Sequence, residues 1–171
     1  MAVDPAQLEI VHYPAEVLRR PAEPVPEVDE HVKAVARRMI QLMHLAPGVG
    51  LAAPQVGLAW RMFVANASGQ EGDDRVYINP RIVQTSGGNI AREEGCLSLP
   101  GVTAEVLRPA QATISALDQE GAPFEDSADD LLARIWQHEY DHLDGVLILD
   151  RMSPIDRMAN KRAVRELESK D

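Results

Sequence analysis

The chain has 171 residues, and 27 acidic against 17 basic side chains give it a net charge of −10. That balance argues against tight binding to nucleic acid or to an anionic membrane, since either needs a net basic face. A hydrophobic fraction of 45%, a charged fraction of 26% and no apolar run long enough to cross a bilayer describe a soluble globular protein of one domain, 1–171. The single cysteine, Cys96, excludes an internal disulfide. The start, Met1-Ala2-Val3-Asp4-Pro5, has neither the basic opening nor the apolar stretch of a signal peptide, which predicts a cytoplasmic protein.

From Leu8 to Pro26 the chain carries Pro14, Pro21, Pro24 and Pro26, which remove backbone donors and favour an extended arm lying on the domain. Val28, Val32, Val35, Met39 and Leu42 then recur with helical spacing behind Asp29 as N-cap, predicting a helix over about 30–44 that Pro47 and Gly48 end. The run Gly48-Val49-Gly50-Leu51-Ala52-Ala53-Pro54-Gln55 superficially matches a dinucleotide fingerprint. Its context fails, because a helix precedes it and Pro54 would interrupt the helix it must open. These glycines suit a close approach to the backbone instead.

Arg61 to Ala65, Val76 to Ile78 and Arg81 to Thr85 read as strands, with Gly87-Gly88 as a turn. Ala112 to Leu117 and Ala122 to Phe124 read as a hairpin about Asp118-Gln119-Glu120-Gly121. Ser127 followed by Asp130 resembles a capping box and Gly145 a helix stop, which bounds a helix at about 128–144. On it, Leu131, Ile135, His138 and His142 fall within roughly 60° of arc. Leu132, Trp136, Glu139 and Leu143 form the adjoining stripe, and Asp130, Arg134, Gln137 and Asp141 the wet flank. A last amphipathic helix is predicted over about 154–168. The fold class expected is α+β, with antiparallel strands packed around the central helix and one helix toward each terminus.

That central helix carries His138-Glu139-Tyr140-Asp141-His142, an H-E-x-x-H pattern. Imidazoles one turn apart can bind one metal ion, and the intervening glutamate can work on a bound water. Two such histidines on an apolar stripe need partners, and an ion supplies them. His12, His31 and His44 show no partner spacing. The third ligand decides the class. A metzincin protease would need a histidine where Ile148 stands. A thermolysin-like protease would need Glu166 or Glu168, which sit in a charged, solvent-facing segment. Cys96, in Glu93-Glu94-Gly95-Cys96-Leu97-Ser98-Leu99-Pro100-Gly101, is the stronger candidate. A thiolate suits zinc or ferrous iron, and Cys-His-His leaves a fourth position for water.

At this point the chain resembles the peptide deformylases. Three motifs match in order and spacing: Gly48 to Gln55, Glu94-Gly95-Cys96-Leu97-Ser98, and Gln137-His138-Glu139-Tyr140-Asp141-His142-Leu143. The resemblance runs from about residue 8 to 155. It implies a hydrolase that removes the formyl group from N-formylmethionyl peptides and nascent chains, releasing formate. It also implies Fe2+ as the native metal, with Zn2+, Ni2+ or Co2+ able to replace it. By motif, Cys96, His138 and His142 are the metal ligands, and Glu139 is the general base toward a metal-held water and then the acid toward the leaving amine. Gln55 and the Leu97 backbone N–H would hold the developing oxyanion, and Gly50 would lend backbone contacts to the formyl end. By proximity, Val49, Leu131, Leu132 and Ile135 would line the methionine pocket. The peptide beyond methionine would pair as an extended strand along the glycine loop and the segment before Cys96.

Two features depart from some relatives. No basic residue follows Cys96 until Arg108, where relatives place an arginine earlier, and the tail ends soon after Glu168. Arg151, Arg157, Lys161, Arg162 and Arg165 nonetheless offer a basic surface for transient ribosome contact. A solvated helix face is the plainer reading of that cluster. The expected state is a monomer. Two rival readings keep the same residues: a structural metal-binding domain, and an H-E-x-x-H metalloendopeptidase.

Overall fold

The computed structural model describes residues 3–170. Met1 and Ala2, which the signal-peptide reading includes, and Asp171 at the end of the expected domain lie outside them. No helix among the described residues is long and apolar enough to cross a membrane. Extended backbone runs from Leu8 to Val28, broken by a single turn of 3₁₀ helix at Glu16–Arg19. This arm bonds to distant parts of the chain: Val11 N–H to Gln55 O at 2.8 Å, Tyr13 N–H to Ser98 O at 2.8 Å, and Ala22 N–H to Leu143 O at 2.8 Å.

Helix α1, Glu30–Leu45, starts where the sequence places it, with the Asp29 carboxylate accepting from Val32 N–H at 2.8 Å. Five antiparallel strands follow: β1 Gly50–Ala52, β2 Met62–Ala65, β3 Arg75–Gly95, β4 Thr103–Leu117 and β5 Pro123–Asp129. They form one sheet in sequential order. Alternation sorts its two faces. Met62, Val64 and Ile78 join Val35, Met39 and Met43 of α1, whereas Phe63 and Tyr77 join Trp136 on the opposite side.

The Gly87-Gly88 pair does not turn the chain. Ser86 pairs with Gln111 and Asn89 with Pro109, so both glycines stand opposite the single Ala110. With φ of 82° and 70° they form a bulge that bends β3 and lets it run on to Gly95. Val76 to Ile78 and Arg81 to Thr85 belong to this same strand, joined across a further register shift between Ile78 and Arg81. The Asp118 turn is as expected, its carboxylate accepting from Glu120 and Ala122 N–H.

Helix α2, Asp130–Leu143, carries the H-E-x-x-H residues and packs against all five strands, giving the expected α+β architecture. Its N-terminus differs from expectation: Ser127 makes no cap, because pairing with β4 continues to Asp129 and sets Ser127 Oγ 2.8 Å from Thr113 Oγ. The C-terminus is a Schellman motif. Val146 N–H bonds to Asp141 O and Gly145 N–H to His142 O, and Gly145 has φ of 72°. A Cβ there would lie 2.6 Å from Arg19 O of the arm, so both conformation and contact require glycine. The flank expected to be wet is mostly covered: Arg134, Gln137 and Asp141 are buried, since the β3–β4 hairpin folds over them.

The C-terminal helix expected over 154–168 is two helices, α4 Pro154–Ala159 and α5 Lys161–Glu168, preceded by a short α3, Ile148–Arg151. The break sits at Asn160, whose buried side-chain amide donates to Thr103 O and Asp156 O at 2.8 Å each, tying the joint to β4.

Candidate metal centre and active site

Three elements converge. α2 supplies His138 and His142, the loop after β3 supplies Cys96, and β1 with the 3₁₀ turn Ala53–Val56 supplies Gly50 and Gln55. The loop is held by consecutive turns, Leu99 N–H to Cys96 O and Val102 N–H to Leu99 O, and by Tyr13 of the arm. Cys96 Sγ lies 3.4 Å from His142 Nε2, which lies 3.2 Å from His138 Nε2. One ligand atom from each of the three residues falls within 4.8 Å of the others.

The donor set fits a divalent ion. Glu94 Oε1 stands 2.9 Å from His138 Nδ1, so that nitrogen carries the proton and Nε2 turns its lone pair inward. A thiolate and two imidazoles suit zinc or ferrous iron and leave one position open. Without an ion, burial opposes a charge on His138, but its bonds to Cys96 and Glu94 raise its pKa to about 10. Burial and the neighbouring His138 push His142 well below the usual histidine range. Ion and proton therefore compete for this cluster.

Glu139 is buried beside the cluster, and burial pushes its carboxyl up to about 7. Its Oε2 has no hydrogen-bond partner among the described residues. Its Oε1 lies under Gly50, where a Cβ would come within 2.5 Å of it. Only glycine at 50 leaves the carboxylate its place. Gln55 has a fixed orientation: Oε1 accepts from Ala52 N–H at 2.9 Å, while Nε2 faces Ser98 Oγ at 3.3 Å and Cys96 Sγ at 3.5 Å. The amide donor end therefore points at the cluster. Leu97 N–H has no acceptor among the described residues.

A cavity of about 450 Å³ opens onto Cys96, His138 and Glu139, with Val49, Leu131 and Ile135 on its wall. Leu132, expected there too, is not: about 100° further round α2 than Leu131, it packs instead with the Phe63, Tyr77 and Trp136 cluster. Neither protease ligand position reaches the site. Ile148 is buried in the apolar cluster that backs the Cys96 loop and has no ligand atom to offer, Glu166 pairs with Arg162, and Glu168 accepts from Tyr13 OH. His44 pairs with Asp74 at 2.7 Å, and His31 stands edge-on to Trp60.

Sequence reasoning gave no role to a buried charge network behind the ligands. Arg108 donates Nε to Glu94 Oε2 at 2.7 Å, Nη2 to Glu94 Oε1 at 2.9 Å and Nη1 to Asp141 Oδ2 at 2.9 Å. Arg134 adds a bond to Glu94 at 2.6 Å, and Arg151 clasps Asp141 with two at 2.6 Å. Burial alone would raise the Glu94 pKa, but His138 and Arg108 hold it far below the usual carboxylate range. The signal available was period-two alternation: Ala104, Val106 and Arg108 share the buried face of β4. Of the basic segment, Arg151 is thus engaged inward. Arg157, Lys161 and Arg165, with no ion-pair partner among the described residues, line a cleft against Tyr13 and Arg19.

A sequence profile described as polypeptide deformylase matches residues 7–158. A peptide deformylase of Thermodesulfovibrio yellowstonii is 46% identical over 154 residues, covering 89% of this chain and 93% of its own. One of Acidobacterium capsulatum is 43% identical over 161 residues, covering 93% and 94%. Among solved structures, a peptide deformylase from Legionella pneumophila superposes with a TM-score of 0.89 at 40% identity, covering 95% of each chain. One from Plasmodium falciparum gives 0.91 at 38% identity, covering 95% and 96%. Matched along nearly its whole length by such relatives, and with a Cys-His-His cluster that can hold an ion, the chain belongs to the peptide deformylase family of metal-dependent hydrolases.

Proposed function

We propose that in this chain, read as a single catalytic domain, the family's reaction runs on Glu139. That reaction is hydrolysis of the formyl group of N-formylmethionyl peptides to formate and a free amine. The observation that carries the reading is the buried Glu139 carboxylate, with Oε2 unpartnered, on the cavity that Cys96 and His138 share. An ion in the Cys96-His138-His142 cradle supplies Lewis acidity and an acidified water when bound. Glu139 takes the proton released as water oxygen joins the formyl carbon, and delivers it to the methionyl nitrogen as the C–N bond breaks. Burial, which disfavours the charged carboxylate, is what lets Glu139 hold the proton between the two transfers. Gln55 Nε2 and Leu97 N–H donate to the formyl oxygen as charge gathers on it, and the Gly50 backbone flanks the formyl end. Val49, Leu131 and Ile135 receive the methionine side chain.

We assign Fe2+ as the native ion on the family resemblance; the thiolate and two imidazoles accept it, and Zn2+, Ni2+ and Co2+ fit the same donors. Activity should then be lost in air, and an iron-loaded sample indifferent to oxygen or peroxide would count against iron. The protein is read as a cytoplasmic monomer. Arg157, Lys161 and Arg165, which have no ion-pair partner among the described residues, serve transient ribosome contact together with Arg162, and co-sedimentation unchanged by charge reversal at these four positions would remove that role.

The decisive assay is formate release from formyl-Met-Ala-Ser by iron-loaded protein under anaerobic conditions, beside the unformylated peptide. Release only from the first is expected. Glu139→Gln should retain the metal and lose about 10²–10⁴-fold in kcat. Absence of turnover in both proteins would mark a structural ion, and cleavage inside the unformylated peptide an endopeptidase.

A further inference from the structure

Arg134 stands one turn before His138 on α2, is buried, and lines the same cavity as Leu131 and Ile135. Its charged end is engaged by the β3–β4 hairpin. Nη1 donates to Glu94 Oε2 at 2.6 Å and to Val106 O at 3.0 Å, and Nη2 to Ile90 O at 2.7 Å. What it offers the cavity is mainly its aliphatic stem. Glu94 in turn has two guanidinium groups on Oε2, and Arg108 with His138 on Oε1. A carboxylate has about four acceptor sites, and all four of these are filled.

We propose that Arg134 is a positioning residue that couples the wall of the methionine cavity to the metal ligand His138 through Glu94. The inference rests on the reading of cavity and ligands given above. The terminal torsion of a glutamate is soft, so the plane of the Glu94 carboxylate is set by its donors. That plane sets the imidazole, because Oε1 holds Nδ1. Arg108 grips both Glu94 oxygens with one fork while Nη1 goes to Asp141, so the carboxylate plane turns with that guanidinium unless a second donor holds Oε2. Arg134 is that donor, from the cavity side, and the backbone oxygens of Ile90 and Val106 fix its guanidinium in turn. A side chain that fills the cavity therefore presses on the same residue that holds the ligand's partner.

The test uses Co2+ as probe in the full chain. Arg134→Met keeps a stem of similar length and removes the fork; Arg134→Lys keeps the charge but gathers its donors on a single nitrogen. Partners of metal-bound histidines typically tune affinity 10–100-fold, and Arg134 acts one bond further out, so Arg134→Met should release Co2+ to excess chelator about 3–30-fold faster. Its visible Co2+ bands should shift, and Arg134→Lys should fall between it and the parent. The ratio of kcat/KM for formyl-Met-Ala-Ser over formyl-Ala-Ala-Ser should fall about two- to fivefold, as the wall is no longer pinned.

Met39→Ala, in the α1 core, controls for lost stability alone. Release within about twofold of the parent, an unchanged substrate ratio, or an equal acceleration in Met39→Ala at matched Tm loss would each overturn the coupling. Should Arg134→Met fail to fold, Arg134→Lys decides by the same readings. Co2+ release needs no substrate. A parent protein without formate release would thus sink the functional reading and leave this measurement standing, whereas unaltered Co2+ release in active variants would sink only the coupling.

Discussion

Along one flank α2 sets Ala133, Trp136 and Leu143 against Phe63, Tyr77 and Ile114, whereas along the other it sets Arg134, His138 and Asp141 against Glu94 and Arg108. Both flanks are buried, and they are held by opposite means. Dry contact stabilises in proportion to area and is lost by degrees as atoms are removed. A buried ion-pair network gains little net stability, because desolvation offsets most of the attraction, but it fixes directions and fails when one member goes. The flank that aims the ligands is the one built from charge. Orientation and cohesion are divided between two sides of one helix.

The sharpest way to break that division is Glu94→Ala, which leaves Arg134 buried with no counter-charge and Arg108 with Asp141 alone. A loss of about 3–5 kcal/mol is expected in urea unfolding, together with a roughly 10–100-fold weaker affinity for Co2+ by titration. A loss under about 1 kcal/mol would mean that the charged flank is held by something else.

Next in size is a pH effect with opposite signs at two glutamates. Glu139 has its pKa raised to about 7, so its contribution to the metal-free fold is present below the ordinary carboxylate range and lost as pH rises through about 7. Metal-free Glu139→Gln should therefore be more stable than the parent at about pH 8, by about 2–4 kcal/mol, with the gap closing toward about pH 4. Glu94, whose pKa is depressed, contributes above the ordinary range and loses that contribution only in stronger acid. Equal stability of the two proteins across this range would remove burial as the cause of the Glu139 shift.

The smallest effect belongs to the dry flank. Trp136→Phe should cost about 1–3 kcal/mol in thermal unfolding and leave Co2+ affinity unchanged. Metal affinity falling with it would show that the two flanks are not separable.

The sequence discloses α1 through Asp29 and the Val32-to-Met39 spacing, and α2 through its histidine stripe and Gly145, because these signals are local. It also discloses Cys96 by eliminating Ile148 and the tail. Gly87-Gly88 misleads because a glycine pair reads alike as turn or bulge, and only the pairing of Asn89 with Pro109 separates them. Arg134 reads as wet because helical periodicity knows only the helix, whereas its burial comes from a hairpin in front of it. Glu94 and Arg108 meet through sheet register, which no short window contains.

The arm joins the chain's early residues to its late ones: Val11 to Gln55, Tyr13 to Ser98, Ala22 to Leu143, and the Tyr13 hydroxyl to Glu168. During its own synthesis this enzyme must leave the arm's docking incomplete until residue 168 has emerged, since the partner at the far end does not yet exist. Such long-range closures slow folding. A chain that stops before residue 138 also lacks both histidine ligands, so that a partly made chain is an inactive one.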